Sequence, residues 1–191
     1  MSAAGGSLKL IVVGPGRAGG SLALAAGRAG HEVSGVLTRS TTTSAYGPVL
    51  SWDQPLPPTD LLLIATRDEA IEEVARRLST VSGSIAVAAH LSGFTPVTAL
   101  QSLADAGAAT GGFHPLQTLP DAERGAEALA GAFVAIGGDA RARAVLERLA
   151  RSLRMRPFML DDESRAAYHA GAAAASNFVI TSLQTAGDLM S

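Results

Sequence analysis

Three of the four histidines, His90, His114 and His169, stand among hydroxyls and amides in patterns that can do acid–base chemistry. In His90-Leu91-Ser92-Gly93, His90 and Ser92 alternate directly after the apolar run Ile85–Ala89, so a continuing strand would turn both to one side. His114-Pro115-Leu116-Gln117-Thr118 follows Gly111-Gly112-Phe113; the proline is expected to fix a turn and aim the imidazole out of the strand, with Gln117 and Thr118 adding hydrogen-bonding groups. On the alanine-rich C-terminal segment, His169, Ala173 and Ser176 share one helical stripe, because positions seven apart nearly eclipse. Asn177 lies about 80° round from His169 and Tyr168 about 100° the other way, which puts the stripe, with Asn177 at its margin, toward a ligand. Imidazole titrates near neutral pH and suits proton transfer. His114 is the first candidate for a catalytic acid and His90 the second, with Asn177 beside them. Ser92, Gly93, Gln117, His169 and Ser176 are the candidates to contact substrate. Each also has a structural reading: a turn, a rigid corner, a helix-surface residue or a helix–helix hydrogen bond. No HxH or HxxxH spacing occurs, so no metal site is expected.

The element that must position these groups is Leu8 to Ser40. The run Leu10-Ile11-Val12-Val13 enters Gly14-Pro15-Gly16-Arg17-Ala18-Gly19; the alanine-rich stretch Ala18–Ala29 leaves it, Gly30 stops that stretch, and Val33–Leu37 is a second apolar run. Strand, glycine turn, helix, strand is the order that holds a dinucleotide. Gly14 allows the turn, Gly16 lets a pyrophosphate approach the backbone, and Gly19 lets helix pack on strand. The unpaired first-turn N–H groups and the helix dipole favour an anion there. A turn that only packs is the competing reading of the same glycines.

The nucleotide's identity rests on the end of the second strand. An NAD site carries Asp or Glu about 20 residues beyond the glycines. This chain has Leu37-Thr38-Arg39-Ser40, a guanidinium between two hydroxyls and no carboxylate. That set matches a 2′-phosphate, so NADP is expected, with Thr38, Arg39 and Ser40 at the phosphate. The alternative is an exposed arginine opening a polar loop.

Asp60–Ala65 reads as a strand buried on both faces, and Thr66 and Glu69 have capping-box spacing for a helix starting near Asp68, which places Thr66 and Arg67 at the cofactor. A short strand is expected near Val49-Leu50. Beyond the strand at Ile85–Ala89, Thr95-Pro96 caps a helix running to about Ala106, with Gly107 ending it. Further strands are expected at Ala132–Ile136 and Pro157–Leu160, with a helix capped by Asp139 between them. Asp161 or Asp162 caps a long final helix reaching toward Gly187. No element is assigned between Thr118 and Ala132. The alternation predicts an α/β fold of Rossmann type, a doubly wound, mostly parallel sheet with helices on both faces. Residues 1–160 form that domain, and 161–191 the start of a helical one. Phe178, Val179, Ile180 and Leu183 leave the last helix little polar surface, so self-association through it, as a homodimer, is expected.

The chain has 191 residues, 47% apolar and 17% charged, with formal net charge −2. No basic patch argues for nucleic acid. Cysteine is absent, which removes disulfides and thiol nucleophiles, and Lys9 is the sole lysine. No apolar run approaches the ~18 residues of a membrane span, and no signal peptide precedes Leu8, so a cytoplasmic protein is expected.

The chain resembles the bacterial proteins that join a Rossmann-like NADP-binding domain to a helical domain of unknown function 2520. These belong to the 6-phosphogluconate-dehydrogenase-like superfamily, with ketopantoate reductase, pyrroline-5-carboxylate reductase and prephenate dehydrogenase. The residues that carry the resemblance are Gly14–Gly19, His90–Gly93, Gly112–Thr118, Tyr168-His169-Ala170 and Ala175-Ser176-Asn177-Phe178. It implies an NADP-dependent oxidoreductase fold whose second half is all-helical and often dimerises. Members are longer, so the helical domain is expected to be cut short here, with its first helix present. A His-Pro pair at a similar place contacts substrate in prephenate dehydrogenases; Leu116-Gln117 replaces their small residues, so the substrate does not carry over.

The reading is an enzyme moving hydride between NADPH and the carbonyl or imine of a small, carboxylate-bearing molecule, a ketopantoate-type 2-keto acid being one example. The alternative is a non-catalytic NADP(H)-binding module that acts through a protein partner.

Overall fold

The computed structural model describes residues 6–39, 43–81, 85–175 and 179–190. Ser40, Ser176, Asn177 and Phe178, named above, lie outside the described residues.

The run Leu10–Val13 is wholly buried and forms most of β1 (Lys9–Val13). Around it the chain builds β2 (Glu32–Leu37), β3 (Thr59–Ile64), β4 (Ile85–His90), β5 (Ala109–Leu116), β6 (Phe133–Gly138) and β7 (Arg156–Met159). The seven strands form one sheet in the order β2-β1-β3-β4-β5-β6-β7. Every neighbouring pair is parallel except β5–β6. The expected Rossmann-type, mostly parallel sheet is therefore present. The order reverses at β1, since β2 lies on one side of it and β3 on the other. Ligands bind outside the carboxyl ends of the strands at such a point.

Alternate side chains of β1 feed two cores. Leu8, Leu10 and Val12 pack with α1 (Arg17–Arg28), α4 (Ala122–Ala128) and α5 (Ala140–Ser152). Ile11 and Val13 pack with α2 (Ile71–Val81) and α3 (Gln101–Asp105) on the other face. The C-terminal segment gives α6 (Arg165–Ala173) and α7 (Val179–Met190).

Several local expectations change. The strand near Val49 is a single bridge to Val36. The Thr66–Glu69 capping box does not form: a 3-10 turn over Asp68–Ala70 follows an uncapped Arg67, and Thr66 Oγ1 is buried without a partner. Thr95 caps no helix; a 3-10 turn starts after Pro96, and the Val97 amide donates instead to Asp162 Oδ2 at 2.9 Å. Pro115 makes no turn. It continues β5, which pairs with β4 only as far as Gly112, so the missing amide costs no bond on that side. Asp139 caps α5 as expected, accepting from the Ala142 amide at 2.8 Å. Asp161 accepts from the Ser164 amide at 2.9 Å, just ahead of α6. The unassigned stretch after Thr118 holds α4, capped by Asp121 through the Arg124 amide at 2.8 Å and packed on α1.

Candidate functional site

Two clefts open at the carboxyl ends of the parallel strands. The first, about 600 Å³, lies at the reversal point. Its lining includes Val13 and Leu37, the ends of β1 and β2, and Ala65, just past β3, together with Gly14, Pro15, Gly16, Thr38, Arg39, Thr66 and Arg67. Gly14 has φ +80°, the left-handed region that an L side chain resists, and its amide donates to Leu37 O at 2.8 Å. Gly19 packs so tightly that a Cβ there would strike Gly14 O and come within 2.9 Å of the Ala65 Cβ. Gly16 has open space where its Cβ would be. Arg17, Ala18 and Gly19 form the first turn of α1, with no side-chain cap and no acidic residue to compete for their amides. An open glycine, uncapped amides and the orphaned Thr66 hydroxyl together fit a dinucleotide pyrophosphate.

The far end of this cleft holds residues that sequence reasoning missed. Trp52, Glu73, Val74 and Arg77 line it. The Trp52 indole donates to Thr38 O at 2.9 Å, which fixes its ring. The Arg77 guanidinium lies 4.9 Å from that ring's centre and donates to Asp53 Oδ1 at 2.8 Å. Arg39 therefore shares this cleft with a second, braced guanidinium. The only sequence signal for it is Arg77's place one helical turn beyond Glu73 on α2.

The second cleft, about 630 Å³, runs between the end of β5 and α6. His114, Pro115, Leu116, Gln117 and Thr118 line one wall; Ala167, Tyr168, His169, Gly171, Ala172, Ala173 and Ala175 line the other. His114 Nδ1 lies 2.7 Å from Tyr168 Oη, with the two rings edge to face. Tyr168 in turn packs edge-on against Phe158 of β7. The other side of the imidazole rests on Gly93, where a Cβ would come within 2.8 Å of the ring. Gly93 therefore makes room for the His114 ring. The helical stripe placed His169 inward and left Tyr168 to the side. In the structure both line the cleft, His169 packing on Phe94 at 5.8 Å between ring centres. Gln117 is tied to its own loop, donating to Ala128 O at 3.1 Å and accepting from the Thr118 amide at 2.9 Å.

Beneath the cleft is a buried polar floor. His90 is fully buried at the end of β4, so it presents nothing to a ligand; the Pro96 carbonyl faces the ring, but neither ring nitrogen makes a hydrogen bond of good geometry. The Ser92 hydroxyl is committed: it donates to Asp68 Oδ2 at 2.7 Å and accepts from the Phe94 and Thr95 amides at 3.1 and 2.9 Å. Arg165, also buried, pairs through Nε with Asp162 Oδ1 at 2.5 Å.

The floor sets the charge state above it. Burial first, then the nearby His169 and Arg165, push His114 down to about 4, against a smaller opposing pull from Asp68. Burial and Arg165 push His90 down to about 4 as well, with Asp162, Asp68 and the Pro96 carbonyl opposing. Both imidazoles are therefore neutral at pH 7. Tyr168 is raised by burial, so its phenol keeps its proton.

Residues 3–115 match the Rossmann-like domain family, and the chain belongs to it. Residues 132–191 match the domain of unknown function DUF2520. The fold is shared with protein TM1727 from Thermotoga maritima, at 22% identity and TM-score 0.69, over 90% of this chain and 65% of that one. It is shared with prephenate dehydrogenase from Aquifex aeolicus, solved with NAD+ and hydroxyphenyl propionate, at 15% identity and TM-score 0.65, over 85% of this chain and 63% of that one. Pyrroline carboxylate reductase from Plasmodium falciparum, solved with NADP, matches at 12% identity and TM-score 0.70, over 97% of this chain and 72% of that one. The chain thus spans less than two thirds of the first two structures. No curated protein matches it. The fold is the Rossmann-like one that the sequence resemblance implied. No described helix is long and apolar enough to cross a membrane.

Proposed function

We propose that the protein is an NADP-dependent cytoplasmic oxidoreductase acting on the carbonyl or imine carbon of a small molecule. The observation that carries this reading is the placing of His114, clamped between Gly93 and Tyr168, at the same sheet edge as a glycine-lined cleft suited to a dinucleotide. Gly14 to Gly19 would hold the pyrophosphate, and Arg39 with Arg77 the 2′-phosphate. The bound cofactor supplies hydride. The chain's own task is then to exclude water from the substrate, orient it and manage one proton at its oxygen or nitrogen. His114 reaches that atom, while Leu116 and the small residues of α6 shape the space around it. Among the described lining residues of this cleft there is no arginine or lysine to meet a carboxylate. The reading is accordingly narrowed to the carbonyl or imine group itself. Self-association through α7 is proposed with it, because Leu183, Leu189 and Met190 are 68%, 82% and 87% exposed.

The test is a titration with NADPH and NADH, followed by NADPH oxidation with a panel of neutral and acidic carbonyl and imine compounds. Tight NADPH binding with turnover that His114→Ala abolishes is the expected result. Tight binding without turnover on any compound would favour a non-catalytic NADP(H)-binding module instead. Light scattering on wild type and Leu183→Glu checks the dimer.

A further inference from the structure

A neutral imidazole is a poor acid by itself. Giving up a proton from Nε2 would leave an imidazolate unless Nδ1 gains one in the same event. Tyr168 Oη stands 2.7 Å from Nδ1, in line for that transfer. We infer that Tyr168 is the residue that fixes the His114 tautomer and refills it, so that the pair works as one proton relay. This rests on the proposed role of His114 in reducing a carbonyl or imine.

The geometry leaves little freedom. The ring of Tyr168 is held by Phe158 at 5.9 Å and the ring of His114 by Gly93, so the hydrogen bond does not depend on a mobile side chain. With the phenol donating to Nδ1, the imidazole proton must sit on Nε2. If a bound nicotinamide supplied hydride to the carbonyl carbon, the oxygen would need one proton. His114 Nε2–H supplies it, the Tyr168 O–H bond breaks as Nδ1–H forms, and the phenolate regains a proton from solvent through the open cleft. No imidazolium appears at any stage. That suits a site where burial, His169 of the same helix and Arg165 at its base all disfavour the cation, Asp68 alone pulling the other way. The same burial raises the Tyr168 phenol, keeping it protonated at rest and its phenolate strongly basic. Tyr168 acts through His114 and is therefore a positioning residue; His114 is the one that touches substrate.

Tyr168→Phe keeps the ring against Phe158 and removes only the hydroxyl. Long-range 1H–15N spectra of 15N-histidine-labelled protein, with His114→Asn for assignment, report tautomer and titration directly and need no cofactor. The expected result is a His114 fixed as the Nε2–H tautomer in wild type. In Tyr168→Phe it becomes a mixture, and its titration midpoint rises by about half a unit or more because the neutral form has lost a donor. The other histidine signals should not move. An unchanged tautomer and midpoint in Tyr168→Phe overturns the inference. In the assay, Tyr168→Phe should lower kcat about tenfold or more at unchanged NADPH affinity, as expected for losing one proton-transfer partner. A wild type that binds no NADPH would sink the proposed function, while the spectra would still decide whether the pair exists.

Discussion

Gly112 and Gly137 stand opposite each other in the antiparallel β5–β6 ladder, and the space their side chains would fill is taken by the Arg165 guanidinium. A Cβ on Gly112 would come within 2.5 Å of Arg165 Nη2, and one on Gly137 within 2.7 Å of the same atom. Arg165 is the first residue of α6, so this slot docks the helix that carries Tyr168 and His169 onto the sheet. Asp162 completes the anchor, holding Arg165 with one oxygen and the Val97 amide with the other.

The two glycines should not tolerate substitution equally. At Gly112 the three nearest atoms all belong to the Arg165 guanidinium, the far end of a side chain rather than backbone. At Gly137 a Cβ would also lie 2.5 Å from the Leu160 carbonyl oxygen, which is backbone and cannot turn away. Gly137→Ala should therefore be the more destabilising, at the upper end of the ~1–3 kcal/mol typical of overpacking, and Gly112→Ala nearer the lower end. Urea denaturation of the two variants gives the order. A Gly112→Ala midpoint equal to wild type would show that Arg165 does not occupy the slot, and equal losses in the two variants would show that the Leu160 carbonyl does not set the order.

Some local features of this fold were legible from the chain, and features set by docking were not. The run Leu10–Val13, the glycine turn and the Asp139 cap each depend on residues within a few positions of one another. Tyr168 was set aside because a helical wheel gives the angle between two residues but not the rotation of the helix on its sheet. Arg165 in its glycine slot fixes that rotation. Helix α4 is short and lacks an apolar stripe; it exists because Gly125 lets it close on Ser21 of α1. Trp52 gave no signal, lying in an irregular stretch ahead of three prolines, and only the fold brings it under Arg77. The spacing of Thr66 and Glu69 suggests a cap that does not form, while the hydroxyl stays unpaired at the cleft, where the sequence also puts Thr66.

Gly16 and Gly19 separate binding from folding. Gly19→Ala would drive a methyl into Gly14 O and Ala65, so it should lower stability and cofactor affinity together. Gly16→Ala meets nothing in the protein, so its melting temperature should match wild type within error. Its methyl would occupy the side from which a pyrophosphate approaches, and NADPH affinity should fall about tenfold or more. Gly16→Ala binding NADPH as wild type does would remove the pyrophosphate from this turn.

Arg39 should act on the choice of nucleotide, and Arg77 partly on that choice and partly on binding as such. A hydrogen bond to a charged group contributes about 1.5–3 kcal/mol, or roughly ten- to a hundredfold in affinity. Arg39→Ala should therefore weaken NADPH by that factor and leave NADH nearly unchanged. Arg77 is already paired with Asp53 and stacked on Trp52, so Arg77→Ala should cost less, with part of the loss felt by both nucleotides as the Trp52 face is uncovered. Calorimetry with the two coenzymes measures each case. An unaltered NADPH-to-NADH ratio in both variants would refute the 2′-phosphate assignment.

His90 should make the fold sensitive to acid. In the folded chain its ring is held at about 4, against 6.5 when unfolded. The unfolded state therefore takes up the proton first as pH falls. The stabilising effect is full above pH 6.5 and is lost progressively down to about pH 4. At about 1.4 kcal/mol per pH unit, the His90 share of that loss is on the order of 3 kcal/mol. His114 is depressed for the same reason and adds to the slope. His90→Met replaces two buried, unpartnered nitrogens by a flexible apolar chain. Its stability between pH 6.5 and 4 should fall less steeply than wild type, with His114 and His31, both held down by burial, among the groups that keep a slope. If denaturation curves of the two proteins descend in parallel over that range, His90 is not the group that titrates.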